Sequence, residues 1–343
     1  MDLFLALILM TLFTLWTMIV GIRMGKHSSC RSKFMVQMLV VGVSSFYFVF
    51  LWNRPCLTQW FPHTALIVLG NWHPVMGSFF AGMYLSSNKV RRRRRLLIGP
   101  VTLVLAGYSI VAPVVGHVPA CIPVSSASPL ITQTTPYTCS PAVAASLLRL
   151  HGIAATELKM AELCLTRRGT HWLGVYRGLK LMTETTPWEV VAEPFSREAL
   201  LKLKESPALL SINVDTNLIE RDCDHGFRSS VGHSVLVLGS HVNHELIVFD
   251  PSPSYGVELW SRKILSWVSY GVILRLVKRD GSEPDATVRE RISQAAHQHN
   301  RFASFSWNEK TKPENQTTGL EAGRPAILAR VAGSMEITAE SRH

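Results

Sequence analysis

Hydrophobic positions arrive first as long runs and only later as short periodic ones. Four apolar stretches, at roughly 3–22, 34–52, 64–84 and 96–117, come before any sustained polar sequence. Each has about the ~20 residues a helix needs to cross a hydrocarbon core. The third, "TALIVLGNWHPVMGSFFAGMY", is interrupted by Asn71, His73 and Pro74, which predicts a kinked helix with its polar groups turned toward the bundle. The first begins with Asp2 rather than a basic segment. Its apolar core also exceeds the ~7–15 residues of a signal-peptide core, so a retained helix is expected.

After "HVPACIPVSSASP", rich in Pro, Ser and small residues as linkers are, the period changes. "SPAVAASLLRLHG" predicts a helix with Ser140 as its N-cap, Pro141 in the first turn and Gly152 as its stop. "ATELKMAELCL", "WLGVYRGLKLM" and "SREALLKLKES" predict three more. Strand-like runs follow at 208–214, 233–239, 245–250, 256–260 and 271–277. From residue 280 the chain is polar and has no sustained period, so a disordered tail is expected. The predicted organisation is a membrane region of four helices (1–118), a linker (119–129), an α+β domain with an antiparallel sheet (130–279) and the tail (280–343).

Charge adds a direction. Lys plus Arg number 35 against 24 Asp plus Glu, a formal net charge of +11. Much of the excess is local: Arg23, Lys26, Arg31 and Lys33 lie between the first two stretches, and Lys89 with the arginines at 91–95 between the last two. The middle connection holds only Arg54. The positive-inside rule then makes the first and third loops cytoplasmic and everything after 117 external. The expected location is a bacterial inner or plasma membrane, with the second domain outside the cytoplasm. The partner of the basic loops is lipid head groups, with no nucleic acid expected. No zinc-finger spacing or phosphate-binding loop occurs, so neither a metal, a cofactor nor an ATP-binding domain is expected. The six cysteines, at 30, 56, 121, 139, 164 and 223, form no CxxC pair. That is neither a disulfide framework nor a zinc site. Pairing among Cys121, Cys164 and Cys223 stays open.

One cysteine stands apart. Cys139, in "QTTPYTCSPAVAASLLRL", falls at the start of a predicted helix, where unpaired N–H groups and the macrodipole favour thiolate. A thiol nucleophile needs a base and the base an orienting group. His233 opens the strand "HSVLVLG" and Asp250 closes "ELIVFD". A hairpin about 241–242 makes them near cross-strand neighbours, with Cβ atoms ~4.5–5.5 Å apart in a directly opposed pair. His151, His171, His241 and His244 have no acidic partner so placed. "DCDHGF", with Asp222, Cys223, Asp224 and His225, reads as a polar loop.

These segments resemble the C39 family, bacteriocin-leader-processing cysteine peptidases with a papain-like fold. "QTTPYTC" with the helix after it resembles the family's nucleophile segment, "GHSVLVLG" and "LIVFDPS" its His and Asp strands, and "SWVSYGVILRLV" its closing segment. The resemblance covers about residues 130–278. It implies a triad of Cys139, His233 and Asp250, with Gln133 as oxyanion donor and a peptide or protein as substrate. Thr138 and Ser140 depart from the family's Asp-Cys-Gly. Family members fused to exporters carry an ATP-driven transporter, whereas here any transporter is expected to be a separate partner. An amidase or acyltransferase acting on a non-protein substrate, or a catalytically silent leader-peptide-binding module, are the alternatives.

Overall fold

The first apolar run folds as one continuous helix, α1 (Asp2–His27). The second, α2 (Cys30–Phe46), starts under Ser29, whose hydroxyl accepts the Ser32 N–H, and ends in a wider turn at Tyr47–Leu51. Short helices α3 (Cys56–Trp60) and α4 (Leu66–Leu69) precede α5 (His73–Ser86) and α6 (Arg92–Val111). This computed structural model describes residues 2–27, 29–87, 91–123, 128–203, 206–214, 232–240, 245–282 and 286–298. All of them belong to one unit, Met1–Phe305.

Among the described residues three helices are long and apolar enough to cross a membrane, Asp2–His27, Arg31–Leu51 and Arg92–Val111. They leave Phe4, Trp16, Leu39, Phe50, Leu97 and Leu105 exposed, an apolar surface of a kind that soluble monomers rarely present.

The third apolar run is not one helix. α4 ends at Gly70, and α5, only 14 residues long, begins at His73 with Pro74 in its first turn. Proline lacks an N–H, so it costs least at a helix start. Between the two helices, Asn71 Nδ2 donates to Ser109 O (2.8 Å) and Asn71 Oδ1 pairs with His73 Nδ1 (2.9 Å). The segment still accompanies α1 along most of its length. Ala65 and Val68 pack with Ala6 and Met10, Thr17 Oγ1 lies 3.2 Å from Val75 O, and Gly25 lies against Ser86. A Cβ on Gly21 would sit 2.3 Å from Phe79 O, and one on Gly82 would sit 2.3 Å from Met18 O. Gly21 and Gly25 on α1 thus lie against Phe79, Met83 and Ser86 of α5, and Gly82 lies against Met18 and Ile22, glycines being small enough to let two backbones touch.

The second half builds three helices and then a sheet. α7 (Cys139–Leu150), α8 (Glu157–Leu163) and α9 (Trp172–Thr183) pack together. Next come β1 (Trp188–Pro194), α10 (Arg197–Lys202), β2 (Ala208–Val214), β3 (His233–Ser240), β4 (Leu246–Asp250) and β5 (Gly256–Trp260). α11 (Arg262–Ser266), β6 (Val268–Lys278) and α12 (Ala286–Gln298) close the described chain. Side-chain caps at Thr156 and Ser196 start α8 and α10, each cap worth ~1 kcal/mol. The six strands lie in the order β1-β6-β2-β3-β4-β5 with antiparallel pairs throughout. α7 packs on β2 and β3. A second core holds Leu210, Ile212, Val235, Val237, Val248 and Ile273 with Leu200 and Ile264 from α10 and α11.

The helices touch this domain at one end. Asp2 Oδ1 is 3.5 Å from Arg177 Nη2, and Arg167 Nη2 donates to Val114 O (3.1 Å). Asn53 accepts from Trp172 Nε1 and from the Tyr270 hydroxyl.

Three expectations are adjusted. β1 was not foreseen, because "WEVVAEP" carries two acids and a proline; as the edge strand it pairs only with β6. Residues past 279, expected to lack regular structure, include α12, which buries Val288, Ile292 and Ala295. The described tail carries an apolar stripe after all. α7 starts at Cys139 rather than after Ser140, with Thr138 as its preceding residue.

Candidate active site

Because α7 starts at Cys139, the thiol belongs to the helix's first turn, among its unpaired N–H groups. Pro141 is third in that turn, where its missing N–H removes no intrahelical bond. The loop leading to Cys139 is fastened at several points. Thr138 Oγ1 lies 3.0 Å from Thr135 O. The Thr134 N–H and hydroxyl both donate to the Glu157 carboxylate, at 2.8 Å each, and Glu157 is buried. The Gln133 N–H donates to Pro251 O (2.8 Å), tying this loop to the residue after Asp250. Gln133 Nε2 donates to Thr135 O (3.1 Å), while its Oε1 is buried without a partner.

His233 opens β3, and its Nε2 lies 2.9 Å from Asp250 Oδ2. The other Asp250 oxygen accepts the Ser252 N–H (2.8 Å), and the residue is 1 % exposed. With Nε2 engaged, Nδ1 is the ring nitrogen left for Cys139, whose sulfur is hydrogen-bonded to His233. On the far side Ser140 Oγ is 2.8 Å from Ser234 Oγ, joining the first turn of α7 to β3.

The electrostatics agree on one charge state. Burial would push the Cys139 thiol up, but the hydrogen bond and charge of His233, with the Ser234 N–H, hold it below its ordinary value. Burial would lower His233, yet the Asp250 hydrogen bond, the Cys139 hydrogen bond and the charges of both raise it to about 10. Burial would raise Asp250, but His233 and Ser252 bring it below the usual carboxylate value. The favoured form is thiolate, imidazolium, carboxylate. A low thiol pKa is the property that makes a cysteine nucleophilic near neutral pH.

Cys139 and Ser140 face a cavity of about 160 Å³. One wall is the 168–172 segment leading into α9; the other is β2 at 211–213 with Tyr270 of β6. Asn53, from the connection after α2, completes the lining.

The other candidates do not join the Cys139–His233–Asp250 set. His151 is buried, with Nδ1 2.8 Å from Leu147 O and its ring against Trp188. His171 caps α9 through Nδ1, and burial lowers it to about 4, so it lines the cavity as a neutral ring. Burial pushes the Cys164 thiol up to about 12. Cys56, Cys121 and Cys164 are free thiols. Asp222, Cys223, Asp224, His225, His241 and His244 lie outside the described residues. Among those described, no group of three or more His, Cys, Asp or Glu could hold a metal. Sequence reasoning missed Glu157, which looks like an ordinary helix-start acid, and Ser234 and Asn53, whose partners are distant in the chain.

No family model and no curated protein matches this chain. Three of its neighbours among solved structures are peptidase domains. One is the peptidase domain of Streptococcus ComA, described as a bi-functional ABC transporter involved in a quorum sensing pathway. It is 24% identical, with a TM-score of 0.34, over 44% of this chain and 98% of that one. The peptidase domain of Streptococcus mutans ComA is 22% identical over 43% of this chain and 98% of that one, with a TM-score of 0.27. The same S. mutans domain in complex with a small-molecule inhibitor gives 24%, 43%, 98% and 0.29 for the same measures.

Proposed function

We propose that this chain is a membrane-anchored, C39-like cysteine peptidase. The observation that carries this reading is the polarised set behind Cys139, which itself lines the cavity: Cys139 lowered, His233 raised, and Asp250 Oδ2 2.9 Å from His233 Nε2. The Cys139 thiolate attacks the scissile carbonyl carbon, and the carbonyl electrons move to oxygen. His233 gives its proton to the leaving amine, and a thioester remains. Water then attacks the thioester, with His233 taking its proton and returning Cys139 as thiolate with release of the acid. Asp250 fixes the imidazole tautomer. The Cys139 N–H and the second amide N–H of Gln133 are the proposed oxyanion donors.

The anchoring reading uses four crossings, the broken segment 65–86 counting as one. Asp2, Asn53 and Val114 all touch the domain, while Gly25 and Ser86 meet at the opposite end of α1 and α5. Alternating passes require that arrangement. With the basic loops cytoplasmic, the domain works outside, on a peptide or protein at the bilayer surface. A separate transporter is compatible as a partner.

A thiol-directed peptidyl electrophile tests the chemistry. Wild-type protein should be labelled at Cys139, Cys139→Ala should lose the label, and His233→Ala should label far more slowly. Unchanged labelling of Cys139→Ala ends the peptidase reading. A reporter fused after residue 120 should be active only outside the cytoplasm; cytoplasmic activity overturns the orientation.

A further inference from the structure

Asn53 belongs to the connection between α2 and α3, yet it lines the cavity over Cys139. Its φ of 64° puts it in the left-handed region, which Asn enters more readily than most residues. From there it presents two acceptors to two sides. Its side-chain Oδ1 accepts from Trp172 Nε1, at the start of α9 on the helical wall. Its backbone O accepts from the Tyr270 hydroxyl, on β6 in the sheet wall. A single residue of the membrane region therefore ties together both walls of the cleft.

We infer that Asn53 is a specificity-determining strap that closes one end of the cleft, so that substrate extends only a short way from the scissile bond on that side. The size of the cavity agrees. At about 160 Å³ it lies below the ~300–1,000 Å³ of pockets that enclose a drug-sized ligand. The substrate class follows, resting on the peptidase reading above: a peptide whose chain ends or turns away close to the cut on the strap side. A long chain lying straight through the cleft is excluded.

The test uses the full chain in detergent and two series of thiol-directed peptidyl electrophiles. One is lengthened on the acyl side of the reactive carbon, the other on the amine side. In wild type, the Cys139 labelling rate should fall about tenfold or more with length in one series only, the scale of a steric mismatch in a fitted pocket. Asn53→Gly keeps the left-handed backbone and removes Oδ1, so it should erase that fall. Asn53→Asp keeps an acceptor and should restore it. If Asn53→Gly does not fold, Trp172→Phe deletes the same hydrogen bond from the other side and should likewise erase the fall. A length dependence absent from wild type, or identical in the folded variants, overturns the strap. Labelling needs no turnover. A protein that labels with this length limit but hydrolyses no peptide therefore removes the peptidase reading and leaves the strap standing.

Discussion

Asp250 reaches His233 along a diagonal of the β3–β4 pair. The register pairs Leu236 with Phe249, and continued by one it sets Asp250 opposite Val235; even so, Asp250 Oδ2 is 2.9 Å from His233 Nε2. Diagonal neighbours have Cα atoms ~7–8 Å apart, within reach of an imidazole and a carboxylate. The contact therefore depends on both side chains, and Asp250→Asn should keep the shape while removing the charge that raises His233. We expect peptide hydrolysis to fall roughly 10²- to 10⁴-fold, with little change in thermal stability. Steady-state kinetics beside a melting curve checks this; an unchanged kcat/KM would remove Asp250 from the mechanism.

The charge state has a pH signature. Because the Cys139 pKa is lowered, alkylation by iodoacetamide should stay fast below the ordinary thiol value of 9.0 and fall only as pH drops through the lowered value. In His233→Ala the burial that raises Cys139 loses its largest opponents, so the alkylation profile should move to the alkaline side. For His233 the sign runs the other way. Its raised pKa stabilises the fold fully below the ordinary 6.5, and that contribution is lost as pH rises through about 10. Rate-versus-pH profiles of the two proteins decide it; superimposable profiles would mean that His233 does not polarise the thiol.

How far the sequence foretold this site depends on whether each signal was local. The strands at 208–214 and 256–260 match the observed elements residue for residue, since short apolar runs bounded by turns leave few alternatives. The expectation that His233 and Asp250 are near cross-strand neighbours agrees with their contact, which is diagonal rather than directly opposed. Midpoint counting made them near cross-strand neighbours; the observed pairing of Ser240 with Leu246 sets the register three residues from the counted one, and the shift between Val237 and Gly239 recovers one, leaving a diagonal. A bulge is a backbone event that composition does not announce. Asn53, next to Arg54, served only as loop sequence, because its partners Trp172 and Tyr270 are more than a hundred residues away. Long-range contacts of single polar residues leave no periodicity to read. The third apolar run shows the reverse: Asn71, His73 and Pro74 announced an interruption, and the helix does break there.

Glu157 sets the position of the loop before the nucleophile. Its carboxylate takes both the Thr134 N–H and hydroxyl, and its removal would leave two half-buried donors without that acceptor. Glu157→Ala should cost about 1–3 kcal/mol of stability. Because Gln133 adjoins Thr134, it should also lower kcat more than it raises KM. Glu157→Gln, which keeps one acceptor oxygen, should recover most of both. Denaturation curves and the kcat-against-KM split test this, and a stability loss with wild-type kcat would confine Glu157 to packing.

Association of α1 with α5 rests on backbone contact rather than side-chain bulk. At Gly82 an added Cβ would meet Met18 O at 2.3 Å, and at Gly21 it would meet Phe79 O at 2.3 Å. Backbone carbonyls cannot swing aside as a side-chain end can, so α1 and α5 must separate to admit even alanine. Gly42 and Gly107 meet nothing within 4 Å of such a Cβ and serve as internal controls. Gly82→Leu and Gly21→Leu should each destabilise the protein in detergent by about 1–3 kcal/mol, the usual range for overpacking a close contact. Gly42→Leu and Gly107→Leu should leave it near wild type, since an added Cβ there meets nothing within 4 Å. Thermal denaturation of the four variants in one detergent separates the cases. Equal losses at all four positions would show that α1 and α5 do not associate through these glycines.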